Sequence, residues 1–145
     1  MNEIGIICFA NYCRSPVAEK LLNQKDFQSL SFKSYGIEPL VRANMDIRSI
    51  KFLEKNRIKN TEHMPKKIDA NHLSKSKIIL CMDHYILMIM NKKFPRFRKK
   101  YKLFSFKLPS LKIDDPYKFE DKDYELIMER ILTIVENIQE VDLLE

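Results

Sequence analysis

Residues 3 to 24, EIGIICFANYCRSPVAEKLLNQ, constrain this chain more than any other stretch. EIGIICF (3–9) is a short apolar run rich in isoleucine, the composition of a buried strand. It stops abruptly at ANYCRSP, after which PVAEKLLNQ (16–24) supplies helix formers, with Pro16 in the first turn where its missing N–H costs nothing. A strand that opens through a tight loop into a helix is the first half of a parallel β-α-β unit, and the rest of the chain repeats the alternation. LSFKSYGI (30–37) reads as a strand and a turn, and DIRSIKFLEKNRI (46–58) as a helix, with Ile47, Ile50, Leu53 and Ile58 at helical spacing behind a capping Asp46. KIILCMD (77–83) is a buried strand, HYILMIMNKKF (84–94) a helix and YKLFSF (101–106) a fourth strand, and YELIMERILTIVENIQEVDLL (124–144) is a long amphipathic helix. The implied fold is one α/β domain over residues 1–145: a doubly wound, four-stranded parallel sheet flanked by helices, with a loop after strand 1 whose residues, taken up below, suit a phosphate. In such sheets ligands bind outside the carboxyl ends of the strands.

Composition narrows the setting. Three cysteines and no signal-peptide pattern argue for a reducing compartment, so a cytoplasmic protein is expected. YILMIM (85–90) and the other apolar stretches are broken by charge well short of the roughly 18 residues needed to cross a bilayer, so no membrane span is expected. The net charge of +6 is segregated: residues 91–107 carry eight Lys or Arg and no acid, while residues 108–145 carry eleven acids against four bases. No nucleic-acid-binding motif accompanies the basic run, which reads first as a solvated helix end and loop; nucleic acid is not the favoured partner. A positive patch near an anion site would also steer anionic substrates.

The chemistry concentrates in CFANYCRS. Backbone N–H groups and the positive end of a helix favour an anion there, and Arg14 adds a fork matched to two phosphate oxygens. The same field stabilises a thiolate, which makes Cys8 a candidate nucleophile. An oxyanion receptor and a nucleophile in one loop describe phosphoryl transfer through a cysteinyl-phosphate. A zinc clip from Cys8, Cys13 and Cys81 lacks the C-x-x-C and histidine spacings of structural sites, so no metal and no cofactor are expected.

Cys8-Phe9-Ala10-Asn11-Tyr12-Cys13-Arg14-Ser15-Pro16 resembles the C-x-G-N-x-C-R-S-P loop of the low-molecular-weight protein tyrosine phosphatases, with Ala10 in place of the family's glycine. Four more landmarks follow in the family's order: Ser34-Tyr35-Gly36, Thr61-Glu62-His63, Leu80-Cys81-Met82-Asp83 and Asp115-Pro116-Tyr117. The resemblance implies metal-independent hydrolysis of phosphotyrosine, with Cys8 attacking phosphorus and Arg14 and the loop residues Phe9, Ala10, Asn11, Tyr12 and Cys13 holding the phosphate. It implies that Ser15 supports the Cys8 sulfur as a leaving thiolate, that His63 braces the loop, and that Asp115, rather than Asp114, is the general acid and base. The segment 37–41 would wall the pocket through Leu40, leaving Tyr117 as the one evident ring-stacking wall. Lys118, in place of a second tyrosine, would give the rim a positive charge suited to acidic phosphopeptides. The implied partner is a phosphotyrosine-containing protein, for instance a bacterial tyrosine kinase.

Two other readings share the loop. Thioredoxin-coupled arsenate reductases use the same C-x-x-x-x-x-R element and then a thiol relay, for which Cys81 would be the second cysteine; residues 83–91 hold no third. A phosphate-dependent binding module would keep the receptor and lack the nucleophile or the acid, and both are present. Cys13 lies near enough in sequence to form a reversible disulfide protecting Cys8, provided the two Cα atoms approach within about 7 Å.

Overall fold

The structure is a computed structural model and describes residues 1–41 and 44–144; residues 42, 43 and 145 of the expected 1–145 domain lie outside it. Four strands, β1 (Asn2–Cys8), β2 (Leu30–Gly36), β3 (Ser76–Cys81) and β4 (Tyr101–Leu103), form one parallel sheet in the order β2-β1-β3-β4. Five helices are α1 (Ser15–Gln24), α2 (Ile47–Lys55), α3 (Ala70–Lys75), α4 (His84–Lys93) and α5 (Asp121–Asn137).

Alternation along the strands divides the core into two layers. Ile4, Ile6 and Cys8 of β1 and Ile78 and Leu80 of β3 pack with α1, α2 and α5, while Ile7, Ile79 and Cys81 pack with Leu73 of α3 and Ile86 and Met90 of α4. Two central strands buried on both faces explain why EIGIICF and KIIL read as continuous apolar runs.

Several boundaries differ from the sequence reading for local reasons. The fourth strand stops at Leu103 because β4 is an edge strand that pairs only with Ile79–Cys81; Phe104 then bonds Cys81 O, and a series of turns follows. The C-terminal helix begins at Asp121 and ends at Asn137. Ile138 is extended, and a separate 3-10 turn, Glu140–Leu143, is capped reciprocally by Gln139 and Asp142. Lys25 Nζ takes up the helix-end carbonyls of Val135 and Ile138. Helix α2 closes at Lys55 because Arg57 turns left-handed at φ 67°. Helix α3, capped by Asp69, was not evident in the sequence, where one turn of polar residues has too little apolar periodicity to register.

Register places Cys8, Gly36, Cys81 and Leu103 at the carboxyl edge of the sheet. The loop 9–14 rises from that edge, beside residues 37–40, the β3–α4 junction and the segment 113–120.

Candidate active site

The loop between β1 and α1 is turned inside out. Each carbonyl from Cys8 to Arg14 finds a donor: those of Cys8, Phe9, Ala10 and Tyr12 accept from Ile37, Glu38, Leu40 and Asp46 N–H, and that of Arg14 from Ala18 N–H. The remaining two carbonyls accept from side chains, Asn11 O from His63 Nε2 (2.8 Å) and Cys13 O from Ser49 Oγ (2.8 Å). With the oxygens so engaged, none of the amides from Phe9 to Arg14 donates to another protein group among the described residues. A ring of free N–H groups above a helix N-terminus is an anion receptor.

Asn11 holds the loop in shape. Its φ of 52° lies in the left-handed region that asparagine tolerates. Its Nδ2 donates to Ser15 Oγ (2.8 Å) and Ser34 Oγ (3.0 Å), and its Oδ1 accepts from Lys66 N–H (2.9 Å). Because Asn11 donates to Ser15, the serine hydroxyl proton is left for Cys8 Sγ, 2.9 Å away. Burial pushes the His63 pKa below its ordinary 6.5, so the ring is neutral near pH 7 and, facing a carbonyl, carries its proton on Nε2.

Arg14 is 2% exposed. Its Nη1 donates to Asp83 Oδ2 (2.6 Å) and Ile113 O (2.7 Å), and its Nε and Nη2 have no protein partner among the described residues. Burial alone would lower its pKa, but Cys8 and Asp83 together raise it. The guanidinium is thus anchored by one nitrogen and open on its remaining edge.

A cavity of about 270 Å³ brings the predicted residues together: Cys8, Arg14 and other loop residues form its floor, and Leu40, Asp115 and Tyr117 its walls. Asp115 Oδ1 accepts from Tyr117 N–H (3.1 Å), a local turn that leaves Oδ2 without a protein partner among the described residues. Asp114 instead borders the neighbouring depression beside Asp83 and His84. Asn11, Ser15 and His63 lie behind the floor as braces. Tyr12 differs from its sequence reading as loop support alone: its ring lines the cavity and meets Tyr117 edge-to-face, centroids 6.0 Å apart, so Tyr117 is not the single aromatic wall.

The cysteines have separate surroundings. All three are free thiols, and burial pushes Cys13 and Cys81 each up to about 12. Cys81 belongs to the core layer on the far face of the sheet from Cys8.

Sequence reasoning missed Asp83 as the anchor of Arg14, and Ser34, Asp46, Arg48 and Ser49 as supports. Asp83 carried a legible signal, a lone carboxylate at the carboxyl end of a buried strand. Asp46 was legible only as the cap of α2, and the others not at all in these roles, because the groups through which they support the site lie 23 to 71 residues away in the chain.

A cysteine and an arginine in an amide cradle, with a carboxylate and two tyrosines lining the same cavity, form a receptor suited to a phosphate group. Residues 3–142 match the family model described as low molecular weight phosphotyrosine protein phosphatase, and the chain belongs to that family. It is 28% identical over 124 residues to the low molecular weight protein-tyrosine-phosphatase Etp of Escherichia coli K12, covering 86% of this chain and 83% of Etp. The tyrosine phosphatase Wzb of Escherichia coli K30, solved with sulphate, superposes with a TM-score of 0.83 at 28% identity, covering 93% of this chain and 94% of that one. The YwlE arginine phosphatase of Geobacillus stearothermophilus shares the fold, with a TM-score of 0.86 at 20% identity over 94% of this chain and 89% of that one.

Proposed function

We propose that this phosphatase hydrolyses phosphotyrosine through a cysteinyl-phosphate. The observation that carries the reading is the single cavity in which Cys8 and Arg14 lie under the free loop amides, opposite Asp115, between Tyr12 and Tyr117. The amides and the open edge of Arg14 bind the phosphate oxygens and stabilise their charge in the transition state. The Cys8 thiolate attacks phosphorus; the S–P bond forms as the bond to the phenolic oxygen breaks, and the Asp115 carboxyl gives its proton to that oxygen. Water then attacks the cysteinyl-phosphate and passes a proton back to Asp115. The P–S bond breaks, and the Ser15 hydroxyl, aligned by Asn11, donates to the departing sulfur. The two tyrosines favour a flat aryl group, and neither a metal nor a cofactor enters the scheme.

In this reading the partner is a protein bearing phosphotyrosine, such as a bacterial tyrosine kinase, and the enzyme works in the cytoplasm, where Cys8 stays reduced. Thiol relay to Cys81, the arsenate-reductase alternative, is disfavoured because Cys81 faces the opposite core layer and its burial holds the thiol protonated.

Hydrolysis of p-nitrophenyl phosphate without added metal tests the reading. Wild type should turn over, Cys8→Ser should be inactive, and Asp115→Asn should lose about 10²–10⁴-fold. An inert wild type that reduces arsenate with thioredoxin would overturn it.

A further inference from the structure

We propose that Arg48, on α2, is the positioning residue for the general acid, fastening the Asp115 loop to the underside of the phosphate loop. The inference rests on Asp115 acting as proposed above. Among the described residues Asp115 has no side-chain support: its one hydrogen bond there is the turn to Tyr117 N–H, which ties its place to where the chain at Tyr117 lies. Two arginines hold that chain. Upstream, Arg14 Nη1 binds Ile113 O (2.7 Å). Downstream, Arg48 Nη2 donates to Tyr117 O (3.0 Å) and Nη1 to Phe119 O (2.6 Å).

The other edge of Arg48 is fixed on the phosphate-loop side. Nε and Nη2 grip Asp46 Oδ1 (3.1 Å) and Oδ2 (2.9 Å), and the guanidinium lies over the Tyr124 ring, 3.9 Å from its centroid. Asp46 is 6% exposed, caps α2 through Arg48 N–H, and donates its own N–H to Tyr12 O (3.0 Å). The phosphate loop, α2 and the acid loop are therefore joined through one planar side chain with five donors. Lysine, a single charged point, cannot reproduce that bridge.

A general acid matters most when the leaving oxygen is a poor one, so loosening its loop should cost more as the leaving phenol becomes less acidic. Wild type, Arg48→Lys and Arg48→Met are compared by kcat/KM on p-nitrophenyl phosphate, whose leaving phenol is acidic, and on phenyl phosphate, whose phenol titrates near 10 as tyrosine does. Arg48→Lys keeps a charge against Asp46, so the test survives if Arg48→Met does not fold. Expected is a loss of tenfold or more on phenyl phosphate, on the order of that for a small misplacement of a reacting group. The loss on p-nitrophenyl phosphate should be about threefold or less, with inhibition by inorganic phosphate unchanged. In an Asp115→Asn background, Arg48→Lys should cost almost nothing further on phenyl phosphate, as for residues acting through one another. Equal losses on both substrates, weakened phosphate inhibition, or losses that add to Asp115→Asn would make Arg48 a mere scaffold and overturn the inference while leaving the phosphatase reading intact. A wild type inert on both aryl phosphates would remove that reading, and this inference with it.

Discussion

Ala10 and Gly36 form one contact seen from two sides. Ala10 stands where the resembling loops carry glycine, yet its backbone is not left-handed; only Asn11, Asp26 and Arg57 have positive φ among described non-glycine residues. Ala10 therefore needs no left-handed backbone angle, and it lines the cavity. Gly36 is the constrained partner: a Cβ there would lie 2.9 Å from Asn11 N and Phe9 O and 3.0 Å from Ala10 C, all rigid backbone. Gly36→Ala is expected to destabilise the fold by about 1–3 kcal/mol through overpacking and to disable the loop. Ala10→Gly should keep activity and cost about 0.4–1 kcal/mol by loosening the unfolded chain. Urea denaturation together with p-nitrophenyl phosphate turnover checks both, and a neutral Gly36→Ala would contradict the close approach. The glycine of the S-x-G landmark was legible in the sequence; the reason for it was not, since the obstructing atoms come from a loop more than 20 residues earlier.

At the scale of elements, the end of β3 has two functions carried by one side chain. Asp83 Oδ1 caps α4 through Ile86 N–H (2.8 Å), and Oδ2 holds Arg14. The two roles separate by substitution. Asp83→Asn keeps a cap and loses the charge-assisted bond, whereas Asp83→Ala loses both and should be less stable than Asp83→Asn by about 1 kcal/mol, the worth of an N-cap. Both variants should weaken inhibition by inorganic phosphate, because Arg14 would lose its anchor. Thermal or chemical denaturation measures the first effect and inhibition constants the second; wild-type inhibition in Asp83→Asn would show that Arg14 is oriented by other groups.

At the scale of the whole molecule, charge and site lie at opposite ends. Tyr101, the first residue of β4, pairs with Ile79 in the middle of β3, but the basic 3-10 turn Pro95–Lys100 before it is bonded through Lys100 to residues 73 and 74, just ahead of the first residue of β3, while the cavity opens at the carboxyl edge. Lys92, Lys93, Arg96 and Lys99 are exposed and form no ion pair among the described residues, while Lys100 is structural, its Nζ bonding Leu73 O and Ser74 O at the end of α3. Neutralising those four exposed residues should leave kcat/KM for a small aryl phosphate within about twofold at 0.15 M salt, where screening acts over roughly 8 Å. A several-fold loss would mean that the basic end steers substrate. No helix among the described residues is long and apolar enough to cross a membrane.

Patterns confined to neighbouring residues were decided by the chain alone: the isoleucine strand, the C-x-x-x-x-x-R-S loop, the helix behind Pro16 and the Asp-Pro turn each depend on side chains a few positions apart. These specify the βα alternation, the loop that carries Cys8 and Arg14, and the two groups proposed to react, Cys8 and Asp115. Tertiary structure decided what lies between them. The outward turn of the loop carbonyls depends on donors from residues 37 to 63, the hold on Arg14 on Asp83, the second aromatic wall on Tyr12 meeting Tyr117, and the setting of Asp115 on Arg48. The physical reason is one of range: periodicity and capping act within a turn or a strand, whereas a buried donor takes its partner from whichever segment the packed sheet carries to the same edge.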